Sequence, residues 1–207
     1  EELVREGWVV QPSDWRRAAH KCADLVYARL SGESPFFDSK IAYIAETGPK
    51  DNRTKRLAIM DSDGANHRFI TNGQATALTP RYSPDYRSIL YLSYFNGQPR
   101  IYIYSLDTNT QRLLLTARDP LFAPRWSPDG RLIYFVGEPA DQHGVFAINR
   151  DGDPASLRKI TDLTPLVSGL TSSGLSLSPD GGWIALFGFD GQRHGVFVTP
   201  TDGGKSQ

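Results

Sequence analysis

Short apolar blocks recur along the chain, each followed by polar, turn-forming residues. Ile89-Leu90-Tyr91-Leu92 is followed by Ile101-Tyr102-Ile103-Tyr104. Leu132-Ile133-Tyr134-Phe135 is followed by Val145-Phe146-Ala147-Ile148, and Trp183-Ile184-Ala185-Leu186 by Val196-Phe197-Val198-Thr199. Blocks of this length between turn signals read as strands. The same phrase precedes each pair: Pro80-Arg81-Tyr82-Ser83-Pro84-Asp85, Pro124-Arg125-Trp126-Ser127-Pro128-Asp129, and Leu175-Ser176-Leu177-Ser178-Pro179-Asp180. Ser83, Ser127 and Ser178 are thus 44 and 51 residues apart. Each pair ends at a turn, Asp107-Thr108, Asp151-Gly152 or Asp202-Gly203. Arg112-Leu113-Leu114-Leu115 and Arg158-Lys159-Ile160-Thr161 close the first two of these units.

An earlier, partial unit has the same layout. Ile41-Ala42-Tyr43-Ile44 and Leu57-Ala58-Ile59-Met60 are its strands, Asp63-Gly64 its turn and His67-Arg68-Phe69-Ile70 its closing strand. It lacks the Ser-Pro-Asp strand in front. Proline presets φ for the second position of a type I turn, and glycine relieves crowding at the fourth. Tyr86 stands where the other units carry glycine, so its turn is expected to be less ideal. Four short antiparallel strands repeated every ~40–50 residues mark a β-propeller blade. A β-sandwich has as many strands but does not explain the recurring phase.

The first 35 residues differ. Ser13 or Asp14 reads as a helix N-cap. Trp15, Ala18, Ala19, Cys22, Leu25, Val26 and Leu30 then keep helical spacing, with Gly32 placed to end the helix. Arg16, Arg17, Lys21, Asp24 and Arg29 take the opposite face. The apolar face is expected to dock on the first blade or on a domain outside this chain.

Lys plus Arg and Asp plus Glu are 23 each, so the formal net charge is zero. That balance argues against a nucleic-acid or membrane-surface binder acting through a bulk positive field. Hydrophobic residues at 39% can build a core. No apolar run approaches the ~18–20 residues that span a bilayer, and Glu1-Glu2-Leu3-Val4-Arg5-Glu6 does not read as a signal peptide. A single cysteine, Cys22, gives neither an internal disulfide nor a thiolate zinc cage.

Candidate chemistry is sparse. Gly174-Leu175-Ser176-Leu177-Ser178 lacks the last glycine of a nucleophile elbow and opens a strand. His143 and His194 are repeat equivalents, read as exposed turn residues that do not converge on one ion, and His20 as a flank or packing residue. Asp61-Ser62-Asp63-Gly64 and Asp151-Gly152-Asp153 lack the closing glutamate of a calcium loop and read as hairpin turns. No metal, cofactor or catalytic residue is assigned.

Three stretches carry a family likeness: residues 15–21 (Trp15-Arg16-Arg17-Ala18-Ala19-His20-Lys21), 25–32 (Leu25-Val26-Tyr27-Ala28-Arg29-Leu30-Ser31-Gly32) and 37–43 (Phe37-Asp38-Ser39-Lys40-Ile41-Ala42-Tyr43). They resemble the domain junction of the TolB family, and the units that follow resemble its propeller repeat. The resemblance implies an all-β fold, a β-propeller that is six-bladed in the intact family. Here it would be an open partial propeller preceded by one α-helix. Residues 1–35 would end an N-terminal α/β domain, and blades would occupy about 38–72, 73–117, 118–163 and 164–207. The chain is accordingly expected to be a fragment, without the bulk of the N-terminal domain and without the strand that closes the first blade.

The resemblance also implies a non-catalytic periplasmic scaffold of the Tol–Pal system. Such a protein binds the peptidoglycan-associated lipoprotein and inner-membrane Tol proteins, without nucleic acid and without inserting in a membrane. It supports outer-membrane integrity and constriction during division. The alternative is the propeller of a prolyl-oligopeptidase-like serine hydrolase without its catalytic domain. A sugar-lyase propeller would need a His-rich axial metal site not seen in the sequence. The family's lipoprotein-binding face includes the loops leading into the innermost strands, here 74–79, 119–123 and 172–174. The partner-binding set carried over is Gln74, Thr76, Leu78, Arg118, Asp119, Leu121, Phe122, Ser172 and Ser173, with Leu78, Leu121 and Phe122 as apolar contacts.

Overall fold

The Ser-Pro-Asp phrase builds one turn three times. Ser83 N–H donates to Ser88 O at 2.9 Å, and Tyr86 N–H donates to Ser83 O at 2.9 Å. The Ser83 hydroxyl donates to the Asp85 carboxylate and accepts from Ser88 N–H at 2.9 Å. Ser127 with Asp129, and Ser178 with Asp180, repeat the arrangement. The residue after Asp takes left-handed φ: 70° at Gly130, 74° at Gly181 and 56° at Tyr86. A tyrosine there carries the steric cost that glycine avoids, as the sequence leads one to expect.

The computed structural model describes residues 5–139, 143–162, 174–189 and 194–203. Its chain forms two compact units, residues 1–42 with 58–70, and residues 43–57 with 71–207. The strands are β1 (Lys40–Thr47), β2 (Thr54–Asp61), β3 (Arg68–Phe69), β4 (Thr76–Tyr82), β5 (Ser88–Phe95), β6 (Gln98–Ser105) and β7 (Thr110–Thr116). They continue with β8 (Phe122–Trp126), β9 (Leu132–Gly137), β10 (Gly144–Asn149), β11 (Arg158–Asp162), β12 (Leu175–Leu177), β13 (Trp183–Phe189) and β14 (His194–Pro200). They form four sheets in consecutive order: β1–β3, β4–β7, β8–β11 and β12–β14. Every pairing described is antiparallel. This is the blade order that the repeat predicts.

In the second unit, strand alternation divides the core in two. On β9, Ile133 and Phe135 join Leu121, Trp126, Phe146 and Ile148 against Leu90, Leu92, Ile101, Ile103 and Leu114 of the preceding sheet. Tyr134 and Val136 point the other way, with Ala123, Val145, Ala147 and Ile160, against Leu175, Ile184 and Leu186 of the following sheet. The β8–β11 sheet is therefore covered on both faces, which explains why β9 and β10 read as continuous apolar runs. Phe135 and Phe146 stack with ring centroids 5.9 Å apart. Arg112 of β7 donates to Arg150 O and to Asp151 O, and Arg150 returns the link to Asp85 and Ser88.

In the first unit, a 3₁₀ turn at Pro12–Asp14 leads into α1 (Trp15–Ser31). Asp14 is the N-cap residue but makes no capping side-chain bond, and Ser13 lies within the turn. Gly32, at φ 75°, ends the helix with its N–H on Ala28 O. The helix attaches through polar groups. Arg16 and His20 meet the Asp63 carboxylate, and Asp24 accepts from Phe37 N–H at 2.6 Å and Asp38 N–H at 2.9 Å. Tyr27 packs edge-on to Phe36 and Phe37. Trp15 is 60% exposed, Val26 45% and Leu30 71%, and no helix residue is buried, so of the two expected docking partners the first blade does not cover this apolar face. The side turned inward carries Arg16 and His20, which the Asp63 carboxylate attracts, and Asp24, which accepts the two backbone N–H groups.

Candidate functional site

The predicted partner-binding residues enter two equivalent strands. Gln74 is exposed, and an Asn72–Gln74 side-chain pair holds the connector ahead of β4. Thr76 opens β4 and Leu78 packs against the first core cluster, both half-buried. Ahead of β8, Arg118 is exposed and Asp119 half-buried. Phe122 opens β8, half-buried against the second core cluster. Leu121 is 0% exposed and belongs to the first core cluster. It is therefore a packing residue and not a surface contact, which corrects its place in the set. Ser172 and Ser173 lie outside the described residues. The structure thus brings two groups to the entrances of adjacent inner strands, residues 74–78 and residues 118, 119 and 122.

Both inner strands carry the same irregularity. Leu78 pairs with Leu92 and Arg81 with Leu90, three residues against two. Phe122 pairs with Val136 and Arg125 with Tyr134, again three against two. One extra residue on each strand is a β-bulge, which bends the strand and re-aims a side chain. Thr79 (φ 47°) and Ala123 (φ 48°) take left-handed backbone inside these bulges without being glycine. Arg81 and Arg125 consequently stand opposite Leu90 and Tyr134, where unbroken alternation would have put Pro80 and Pro124. The repeated Pro-Arg-aromatic phrase was the visible signal for this feature, but no glycine marks it.

The remaining candidate chemistry is occupied by structure. Leu175–Leu177 is strand β12, and the Ser178 hydroxyl serves the turn with Asp180. Asp61 bonds Lys40 and Asn66, and Asp63 bonds Ala65 N–H, Arg16 and His20, so both carboxylates are engaged within the hairpin region. His20 faces Asp63 at 3.2 Å. His143 is half-buried beside Glu138 at 2.5 Å rather than exposed. Among the described residues no group of three His, Cys, Asp or Glu could hold a metal ion. No helix among them is long and apolar enough to cross a membrane.

The turn at Asp85 is electrostatically tight. The Ser83 hydroxyl, then Arg87 N–H and Arg150, bring the Asp85 carboxyl down to about 2 against the cost of burial. The same serine and backbone contacts lower Asp129 and Asp180. Burial and the nearby Arg81 bring Arg125 down to about 10.

Comparison with known proteins agrees with this geometry. A Tol-Pal system protein TolB of Novosphingobium aromaticivorans is 77% identical over 111 residues, covering 54% of this chain and 25% of that protein. A Tol-Pal system protein TolB of Sphingopyxis alaskensis is 73% identical over 103 residues, covering 50% of this chain and 23% of that protein. The matched stretch is about a quarter of the length of these curated relatives. The crystal structure of TolB from Acinetobacter baumannii superposes with TM-score 0.57 at 21% identity, covering 99% of this chain and 61% of that chain. An oligogalacturonate lyase in complex with manganese reaches TM-score 0.59 at 20% identity, covering 80% of this chain and 46% of that chain. Likeness at that level shows a propeller fold and does not choose among the functions propellers carry. The family model described as the TolB beta propeller domain matches residues 27–207, and the chain belongs to that family.

Proposed function

We propose that this chain is part of a periplasmic scaffold of the Tol–Pal system, without catalysis, that binds the peptidoglycan-associated lipoprotein and works with inner-membrane Tol proteins. Outer-membrane integrity and constriction during division would be its cellular role. Residues 1–35 would end a preceding α/β domain, and the blades would follow from about residue 38. The observation that carries this reading is the 77% identity to a protein named for that system. The contact face would be the connectors into β4 and β8. Phe122 supplies an apolar anchor there, Leu78 a flank, and Gln74, Thr76, Arg118 and Asp119 a polar rim, the mix expected of an interface. Leu121, packed in the first core cluster, would fix the connector from which Phe122 starts.

Calorimetry with the soluble domain of the lipoprotein tests the reading. Phe122→Ala is expected to weaken binding by roughly 1–2 kcal/mol, and Asp119→Ala to weaken it in the same direction. Arg131→Gln is the control, because its side chain is 85% exposed and sits at the turn between β8 and β9. Asn109→Ala would be a poor control, since Asn109 holds φ 54° and accepts from the Tyr104 hydroxyl. Equal affinities for the wild type, Phe122→Ala and Asp119→Ala, with folding intact, would move the face elsewhere. No binding by the wild type would refute the reading.

A further inference from the structure

At their far ends, the inner strands β4, β8 and β12 border a second feature. A cleft of about 530 Å³ is lined by Arg81, Arg125, Trp126, Ser176 and Leu177, by Tyr86, and by the Ser-Pro pairs of the three repeated turns. From Phe122 to Arg125 the chain advances three residues, roughly 10 Å at strand rise. The cleft therefore lies toward the opposite end of these strands from the connectors discussed above.

Two positive side chains meet this cleft and neither is neutralised. Arg81 and Arg125 occupy repeat-equivalent positions and each owes its place to a bulge with non-glycine left-handed backbone. Each uses Nη1 on the carbonyl of its own preceding proline, at 2.8 Å and 3.0 Å. A guanidinium has five N–H donors, so most of its donor capacity is not spent there. Among the described residues neither arginine has an ion-pair partner, although Arg16, Arg17, Arg87, Arg131 and Arg150 all do. Arg125 is half-buried, and the proximity of Arg81 adds like-charge repulsion. A half-buried guanidinium beside a like charge costs stability unless an anion completes the group. Left-handed backbone at a non-glycine residue also costs of order 1–2 kcal/mol, and such strain gathers at binding sites.

We propose that Arg81 and Arg125 form an anion-binding site in this inner-strand cleft, and that its ligand is a carboxylate carried on a peptide chain. Guanidinium groups donate two parallel hydrogen bonds to a carboxylate, as they do to a phosphate. Phosphate is the poorer match here, because compact phosphate sites commonly add a nest of backbone N–H groups to their cations. Here the turn walls are Pro84, Pro128 and Pro179, which have no N–H, and the N–H groups of Ser83, Ser127 and Ser178 are spent on Ser88 O, Leu132 O and Trp183 O. The proline rings, Trp126 and Leu177 instead present apolar surface, which suits the methylenes of an acidic side chain. Ser176 holds the third equivalent position, and its hydroxyl supplies a neutral hydrogen bond in place of a third charge.

The test is calorimetry on the protein with three probes: acetyl-tetraglutamate amide, succinate and inorganic phosphate. The tetraglutamate peptide is expected to bind saturably, with affinity falling as salt rises. Arg125→Gln and Arg81→Gln should each weaken it at least tenfold, while Arg131→Gln, an equal loss of charge outside the cleft, should change it less than twofold. If Arg125→Gln does not fold, the exposed Arg81→Gln decides the matter alone. Peptide affinity that is the same in wild type and Arg81→Gln overturns the proposal, as does no peptide binding. Phosphate binding that exceeds peptide binding overturns the carboxylate assignment. The site is independent of the lipoprotein face: Phe122→Ala should leave the peptide affinity unchanged, and Arg81→Gln should leave the lipoprotein affinity unchanged.

Discussion

Gly137 and Leu121 meet across the β8–β9 edge so closely that each sets what the other can be. A Cβ added at Gly137 would lie 2.6 Å from Leu121 Cδ2 and 3.4 Å from Pro120 O. Leu121 is fully buried, so its side chain has nowhere to retreat without disturbing Phe135 and its neighbours. Gly137→Ala should therefore destabilise by overpacking, about 1–2 kcal/mol after a small gain from restricting the unfolded chain. Leu121→Ala should cost about 3–4 kcal/mol, the transfer term for the lost atoms plus a cavity term. Together the two changes partly cancel, because the new methyl enters the space that the leucine leaves. The double variant should lie about 1–2 kcal/mol above the sum of the singles in stability. Urea unfolding of all four proteins gives the coupling energy directly. Contacting residues commonly couple by 0.5–3 kcal/mol, whereas independent sites add within about 0.5. Additivity within that margin would refute the packing argument.

Two further outcomes follow from the repeated turn. Asp85 is held at about 2, first by the Ser83 hydroxyl, below the usual ~3.9. Its ionised form therefore stabilises the fold above about pH 4, and that contribution is lost as pH falls from 4 toward 2. Ser83→Ala should move the Asp85 titration up toward the usual carboxylate range by carboxyl NMR, and an unmoved titration would rule out the serine as its cause. Tyr86→Gly should raise stability by about 0.5–1 kcal/mol, since glycine accepts φ 56° without steric cost. A lower melting temperature for that variant would show that the tyrosine ring contributes more than its backbone strain removes.

Much of the architecture was legible because a blade is a local object. Apolar blocks, Ser-Pro-Asp and Asp-Gly all act within one hairpin, so the strands and their order follow from short-range chemistry. The order β4-β5-β6-β7 and β8-β9-β10-β11 needs no long-range information. What failed was parity, the question of which side each residue faces. Leu121 and Phe122 look alike as neighbouring hydrophobes, yet one is core and the other half-exposed. Simple alternation cannot be carried across a bulge, and the bulges at Thr79 and Ala123 lack the glycine that would have announced them. The docking of the helix is hard to read for a different reason. Its apolar stripe says that a partner surface is needed but not which one, while an ion pair to Asp63 and two backbone bonds to Asp24 govern its attachment within this chain. Such pairings depend on groups 13 to 47 residues away, which periodicity does not see.

The two ends of the inner strands make one physical case. A propeller strand is rigid because sheets cover both of its faces, as the two core clusters do for β8–β11. A rigid strand can hold a side chain in an unfavourable place at little entropic cost, which a loop cannot do. The connectors at one end offer Phe122 and Asp119, groups whose value lies in being presented to a partner. The bulges one turn of chain further on offer Arg81 and Arg125, groups whose value lies in being held together despite repulsion. If Thr79 and Ala123 served only to close the register, glycine would do so with less strain. A non-glycine residue at φ near 48° stays there only because the covered sheet holds it against its own preference for extended backbone. The bulge thus acts as a fixed offset of one residue, setting Arg81 where Pro80 would stand and Arg125 where Pro124 would stand. An anion that reaches both guanidinium groups would relieve the repulsion that the offset creates, so its binding and the stability of these strands should rise together.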